Sequence, residues 1–309
     1  MAQLEGIVGE SGAARLDRYV ADDMGLLSRS QFKARFVSAM VNGRDAKPSR
    51  PLKPGDRFVV HLLDEADRTS ASMPEDIALV VLYDDDQVIV VDKAQGMVVH
   101  PAHSNWSGTL ANALLGRIGT DGAPPRAGIV HRLDKDTSGV IIAAKSVAAQ
   151  EALAAQFRDR TTIKIYIAIT QRRPAEPHGR IDTWLARDPR DRKRFASAPE
   201  GTGKRAISEW RVLAEAAGYA VVALRPKTGR THQLRVHCRD LGCPILGDPI
   251  YGRPDRRFPA ATLMLHAYEL RIRLPGSDEV SIFKAPVPER IVSVASALGL
   301  DPFPDLDFQ

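Results

Sequence analysis

Only two cysteines, Cys238 and Cys243, occur in the chain, too few for a disulfide framework. The fold must therefore be held by packing, and a reducing compartment is expected. No apolar run approaches the roughly 18 residues that a spanning helix needs, so no membrane contact is expected. Residues 1–15 contain Glu5 and Glu10 and no apolar core, and nothing there reads as a secretory signal. A cytoplasmic location follows as an expectation. Repeats of fixed period and low-complexity tracts are also lacking. His232, His237, Cys238 and Cys243 have the element types of a zinc site. However, His237 and Cys238 are neighbours on one expected helix and Cys238 belongs to its apolar stripe, so no metal is expected. The run Gly201-Thr202-Gly203-Lys204-Arg205-Ala206 imitates a dinucleotide fingerprint, yet it follows a polar, proline-containing stretch instead of a strand. It also fails the phosphate-loop pattern, because Arg205 stands where Ser or Thr is required.

What the chain does have is length and charge. Its 309 residues, 44% hydrophobic and 26% charged, can bury a sizeable core and are too many for one comfortable unit, so two domains are expected. The net charge of +5 and the pI near 9.3 are unevenly spread. Residues 28–57 carry eight cations, Arg29, Lys33, Arg35, Arg44, Lys47, Arg50, Lys53 and Arg57, against Asp45 and Asp56. Residues 64–92 invert the balance, with nine acidic residues and only Arg68 opposing them. Basic character returns at 187–194 and at 225–239. Clustered cations release counterions from a phosphate backbone, so the pattern suggests a nucleic-acid partner, with solvated faces as the plainer alternative.

The stretch 64–76, DEADRTSASMPED, is almost free of apolar residues and reads as an acidic linker. Before it, residues 13–63 form a small unit. There Phe32, Phe36, Val37 and Met40 recur at helical spacing, which predicts a helix over 29–40 capped by Ser28 or Ser30. Asn42-Gly43 and Lys53-Pro54-Gly55-Asp56 supply turns before a strand at 58–62. Residues 77–300 form the larger unit and 301–309 an acidic tail. Helices are expected at 109–117, at 147–157 behind Ser146, and at 231–241. Strands are expected at 78–83, 87–92, 140–144, 162–170, 207–213, 220–224, 267–273 and 280–284. Strands outnumber helices without alternating one for one, which predicts an α+β fold with a mixed, mainly antiparallel sheet and flanking helices.

Three segments carry chemistry. The loop GIVHRLDKDTSG, 128–139, is dense in polar side chains and leads into an apolar strand, so it would present them at a sheet edge facing a cleft. Asp134 and Thr137 could equally cap a polar turn. In 161–170, Ile163, Ile165, Ile167 and Ile169 share one strand face, which puts Lys164, Tyr166 and Ala168 on the other. A core tyrosine is the plainer reading of Tyr166. In KTGRTHQLR, 227–235, Arg230 stands at the expected entrance of a helix, from where it can reach into a cleft.

The order RLDRYVADD, LSRSQFKARF, VNGRDAKPS and LKPGDRFVV resembles the alpha-L RNA-binding domain. That resemblance implies that Arg29, Lys33, Arg35, Arg44, Lys47 and Lys53 grip RNA phosphates rather than read bases. The succession HRLDKDTSG, KIYIA, TGRTHQLRVH, LGCPILGDPIYG and LMLHAYEL, spread over 77–288, resembles the pseudouridine synthases that modify uridines in ribosomal and transfer RNA. VVHPAHSNWSGTLANALL and RAGIVHRLDKD are most similar to the branch acting on large-subunit ribosomal RNA.

The resemblance implies a pseudouridine synthase fold and assigns roles by position. Asp134 matches the catalytic aspartate, Tyr166 a base-stacking tyrosine and Arg230 the arginine that pairs with the aspartate. Arg132 matches a residue that fills the gap left by a flipped base, His131 adjoins it in the substrate-binding motif, and Leu265 matches an apolar residue lining the uracil pocket. The reaction implied is isomerisation of uridine, which needs no cofactor. The implied partner is large-subunit ribosomal RNA, free or in pre-ribosomal particles, acted on by a monomer. Transfer RNA or other large-subunit sites, and a non-catalytic role in ribosome assembly, are the competing readings.

Overall fold

The computed structural model describes residues 2–9, 15–25, 32, 35–62, 73–101, 105–191 and 193–300. The chain divides into two compact units, Met1–Met73 and Pro74–Gln309. The division corrects the expected linker, whose last residues are built into the larger unit. The Glu75 amide donates to the Asn112 carbonyl at 3.0 Å, and the Glu75 carboxylate accepts from the Gly108 amide at 3.0 and 3.1 Å. The rest of the linker, 64–72, and the tail 301–309 lie outside the described residues.

The smaller unit is an antiparallel four-stranded sheet. Its strands β1 (Ala2–Ile7), β2 (Phe36–Val41), β3 (Arg44–Asp45) and β4 (Arg57–Leu62) lie in the order β1-β4-β2-β3. A short helix α1 (Leu16–Arg18), continued as Tyr19–Asp23, buries Leu16 and Val20 against Phe32, Phe58, Val60 and Leu62. Because β1 pairs with β4 along its whole length, the unit starts before residue 13, the expected boundary. The helix expected over 29–40 is also corrected in its second half, for Phe32 and Arg35 are helical but the helix does not continue. Residues 36–41 are a strand, in which Ala39 and Val41 turn inward and Val37 and Met40 outward. A period of two decides here, because the ladder to β4 satisfies the backbone and buries only alternate residues. The Asn42-Gly43 turn stands as expected, with φ of 52° and 74° matching a tight hairpin.

The larger unit is a ten-stranded sheet. Its strands are β5 (Val80–Asp84), β6 (Val88–Lys93), β7 (Ser138–Ala144), β8 (Ile163–Gln171), β9 (His178–Arg187), β10 (Phe195–Ala198), β11 (Lys204–Ala216), β12 (Tyr219–Pro226), β13 (Leu265–Arg273) and β14 (Val280–Lys284). Their order is β10-β9-β11-β12-β8-β13-β7-β6-β5, with β14 beside β13. Every described pairing is antiparallel except β13 with β7, where His266 faces Ser138 and Ala267 faces Gly139. Only glycine fits there: at φ 117°, a Cβ on Gly139 would stand 2.2 Å from the Ala267 carbonyl.

Among the described residues four α-helices flank the sheet: α2 (Leu110–Ile118), α3 (Val147–Asp159), α4 (Gln233–Asp240) and α5 (Glu289–Ala297). The side chains of Thr109 and Ser146 cap α2 and α3, accepting from Asn112 N–H and Ala149 N–H. Both sheet faces are covered. Ile89 and Val91 pack with Leu110 and Leu114 on one side, and Val88 and Val90 pack with Leu153 and Phe283 on the other. Strands β9 and β10 and helix α5 were not expected from the sequence. The glycines at 201 and 203 serve the turn between β10 and β11, which accounts for the false fingerprint. Among the described residues no helix is long and apolar enough to cross a membrane.

Candidate active site

The one parallel pairing among the described strands puts the starts of β7 and β13 side by side, and the polar loop 129–137 lies immediately before β7. Lys93, the last residue of β6, pins that loop from below. Its side chain is fully buried, and its ammonium donates to the carbonyls of Ala94 at 2.9 Å, Met97 at 2.9 Å and Lys135 at 3.1 Å. Burial lowers its pKa to about 8, against the pull of the Asp136 and Asp134 carboxylates. Gln95 adds a second clamp, donating to the carbonyls of Asp136 at 2.8 Å and Leu263 at 3.0 Å. The Thr137 amide closes a turn onto the Asp134 carbonyl at 3.1 Å. The loop is thus fixed by buried hydrogen bonds that leave the Asp134 side chain unused.

Asp134 faces Arg235, whose Nη1 lies 3.5 Å from its Oδ2. Arg235 is 3% exposed and Asp134 20%, so the pair sits at the floor of an opening. The rest of the guanidinium is committed to the buried Asp248, with Nε donating at 2.7 Å and Nη2 at 2.8 Å. Asp248 also accepts from the amides of Ile250 and Tyr251 at 2.8 and 2.9 Å. Its burial would raise its pKa, but the Arg235 contacts and these amides outweigh it and hold the carboxyl below the usual range. Asp248 and the amides therefore aim Arg235 at Asp134.

The arginine assigned to the aspartate from the sequence is thereby corrected. Arg230 turns its Nε to the Arg205 carbonyl at 3.0 Å, and the guanidinium beside Asp134 is that of Arg235. The helix begins at Gln233, behind His232 at φ 56°, so its first turn carries Arg235 inward while Arg230 stays in the preceding turn. The Gln233 carboxamide oxygen accepts the Arg230 amide at 3.0 Å, and its NH2 donates to Ile207 O and Ser208 Oγ at 2.9 Å, anchoring that turn to β11.

Tyr166 lies on β8, opposite Ala267 of β13, and packs with Leu133, Ala127 and Ala267. Burial, aided by the Asp134 charge, raises its phenol pKa, so the ring is neutral. Asp134, Tyr166 and Arg235 come together. His232 belongs with them, since the charges of Asp134, Arg235, Asp248 and Arg132 all act on it, and its Nδ1 lies 2.9 Å from Tyr251 Oη. Arg132 is exposed at the rim.

His131 does not join this group. Its ring stacks on Phe157 at 4.5 Å, on the sheet face of Val88 and Val90, and its Nε2 accepts the Ile142 amide at 3.0 Å. Burial, then the nearby Lys164 charge, pushes its pKa down to about 3. It is a packing residue, and its expected place in substrate binding is corrected. Leu265 is 3% exposed, in the cluster against which Tyr166 also packs. In the smaller unit Arg44, Lys47 and Lys53 are exposed and Arg35 is partly buried, whereas Arg29 and Lys33 lie outside the described residues.

Sequence reasoning missed Lys93, Arg235 and Asp248. Lys93 carried a legible signal, as a lysine ending the apolar run VIVVDK. Among the described residues no group of three or more His, Cys, Asp or Glu side chains is placed to hold a metal ion. His237 instead contacts Ser208 Oγ at 2.9 Å and Thr183 Oγ1 at 3.1 Å, and Cys238 and Cys243 are buried as free thiols.

The pattern of the RNA pseudouridylate synthase family matches residues 87–240. The chain is 40% identical over 292 residues to a Borreliella burgdorferi protein named ribosomal large subunit pseudouridine synthase D, covering 92% of this chain and 89% of that one. It is 38% identical over 307 residues to a protein of the same name from Neisseria meningitidis serogroup B, covering 94% and 80%. The fold is similar to the solved structure of human RNA pseudouridylate synthase domain containing 4, with a TM-score of 0.59 at 26% identity, over 72% of this chain and 94% of that one.

Proposed function

The chain belongs to the RNA pseudouridylate synthase family, and from that premise we propose that it isomerises uridines in a hairpin loop of large-subunit ribosomal RNA, with Asp134 as the catalytic carboxylate. The observation that carries the assignment of Asp134 is its pairing with Arg235, 3.5 Å away, beside Tyr166 at the parallel junction of the sheet. A purely RNA-binding role would give no reason for a guanidinium held by Asp248 so that it meets a second carboxylate.

Uridine becomes pseudouridine when the N1 to C1′ bond breaks, the base turns and C5 joins C1′. The hydrogen on C5 leaves as a proton to solvent and N1 acquires one, so no oxidant, reductant or hydrolytic water is consumed. A carboxylate suits attack on, or stabilisation of, the sugar or the base at a glycosidic centre. Arg235 supplies the opposing charge that orients it. The target base leaves its stack at a cost of a few kcal/mol, which stacking on the neutral Tyr166 ring offsets. Arg132, exposed at the rim, fills the gap in the RNA, and Leu265 contributes to the apolar wall of the uracil site.

The large-subunit substrate draws support from the names of the relatives in Borreliella burgdorferi and Neisseria meningitidis. A hairpin loop also suits the physics, since its bases are partly unstacked and cheaper to flip. The smaller unit acts as an alpha-L RNA-binding domain, in which Arg44, Lys47 and Lys53 meet phosphates. The protein works as a cytoplasmic monomer, on ribosomal RNA free or in pre-ribosomal particles. Pseudouridine mapping of a strain lacking the protein tests the substrate: loss of modification in a large-subunit hairpin loop is expected, and loss confined to transfer RNA or to other large-subunit sites contradicts it.

A further inference from the structure

A cavity of about 640 Å³ opens beside the site, and its lining includes Arg172, Arg194, Arg239, Tyr251, Arg253 and Asp255. Four arginines there meet one carboxylate, and that carboxylate is already engaged. Asp255 accepts from Tyr219 Oη at 2.9 Å, from Gln171 Nε2 at 3.1 Å and from the amides of Arg257 and Phe258 at 2.9 Å. Arg239 is tied to Asp240 at 2.6 Å. The other three cations form no ion pair among the described residues: the exposed Arg172 and Arg253 have no side-chain hydrogen bond there, and the Arg194 Nε is buried without an acceptor. A buried donor without a partner is uncommon in a folded protein, and it marks a place where an acceptor from outside can bind.

The cavity adjoins the chemistry. The Arg194 guanidinium lies 5.5 Å from the centre of the Tyr251 ring and that of Arg235 lies 5.2 Å from the same centre. Tyr251, which lines the cavity, is thus a neighbour of Arg235, which in turn faces Asp134 at 3.5 Å. Arginine forks match phosphate oxygens in geometry and charge, and a cluster of three binds a chain of phosphates better than a single small anion.

We propose that this cavity holds the backbone phosphates of the RNA strand flanking the target uridine. The proposal rests on the reading of the chain as an enzyme acting on RNA. It places RNA contacts of the larger unit at Arg172, Arg194 and Arg253, separate from those of the smaller unit.

The test uses the full chain and a large-subunit hairpin fragment, with affinity measured over a range of potassium chloride. The exposed pair Arg172→Ala and Arg253→Ala, combined, should fold as the parent does and should flatten the plot of log affinity against log salt by about 0.7 to 0.9 per lost phosphate contact. Arg194→Ala should raise KM for the RNA, and Arg194→Lys, which keeps the charge, should restore the salt slope. A double variant that melts like the parent and keeps its slope would overturn the proposal. So would saturable binding of inorganic phosphate at the cavity that RNA fails to displace. Tritium release from carbon-5-labelled RNA by the parent protein reports on the enzyme reading separately, because the salt slope measures binding whether or not turnover occurs.

Discussion

The loop around Asp134 and the turns of the smaller unit are both polar and both rich in charge, but they are built on opposite terms. Around Asp134 the charges are buried and spoken for, since Lys93 donates to three carbonyls and the Asp248 carboxylate takes two donors from Arg235 and two backbone amides. In the smaller unit Arg44, Lys47 and Lys53 stand in water above a core of Val41, Leu52, Phe58 and Val60. Breaking a buried network exposes a desolvated charge, whereas removing a solvated cation changes only what it attracts. The first region should therefore answer to mutation in stability and turnover, and the second in RNA affinity.

The largest effect is expected at Asp248→Ala, which strands the 3% exposed Arg235 without its main partner. Stability should fall by about 3 to 5 kcal/mol, and turnover should fall with it at temperatures where the variant is folded. Urea melts and single-turnover rates check both, and a loss under about 1 kcal/mol would erase the contrast between the regions.

A smaller effect comes from His131. Its ring must stay neutral to accept the Ile142 amide, and its pKa is pushed down to about 3 from an ordinary 6.5. Between those values the unfolded chain binds a proton that the folded chain refuses, so stability falls as pH falls through this window. The slope from this residue is at most about 1.4 kcal/mol per pH unit. His131→Asn should be less stable at neutral pH yet lose less on acidification, as melts at stepped pH would register. An equally steep acid limb would assign the sensitivity to other groups.

Removing residues 1–72 sharpens the other side of the comparison. The larger unit has its own cores and should remain folded and weakly active, while the salt dependence of RNA binding flattens. An unchanged slope would mean that those cations do not meet RNA. The smallest effect is Lys53→Ala, expected to change stability by no more than about 0.5 kcal/mol while still lowering the salt slope.

Legibility in the sequence divides along similar lines. Local pattern placed Asp134 in a polar loop before an apolar strand and Tyr166 opposite four isoleucines, but left a turn cap and a core tyrosine open, and it was the family resemblance that singled the two out. Arg235 could not be found that way. An arginine inside a helix reads as solvated, and what buries it is Asp248, which comes from a later loop. Arg230 looked better placed only because the left-handed turn at His232, which moves the helix start to Gln233, leaves no trace in the residue pattern. Strand β2 was misread because Phe32, Phe36 and Met40 fit a helical period, while pairing with β4 imposed a period of two. By contrast, β9 and α5 were not expected although their residues carry a legible pattern. Ile181, Thr183 and Leu185 alternate along β9, and Ile291, Val294, Ala295 and Leu298 follow a helical stripe.

The proposed role of the Asp134 carboxylate, aimed by Arg235 to carry out the isomerisation, can be tested by removing its charge. Asp134→Asn keeps the size and hydrogen-bonding capacity of the side chain and removes only its charge. Measured as tritium release from carbon-5-labelled large-subunit RNA, turnover of this variant should vanish while its melting and RNA affinity stay close to the parent's. Turnover within about tenfold of the parent, a barrier change of only about 1.4 kcal/mol, would contradict the account and assign the chemistry to another group.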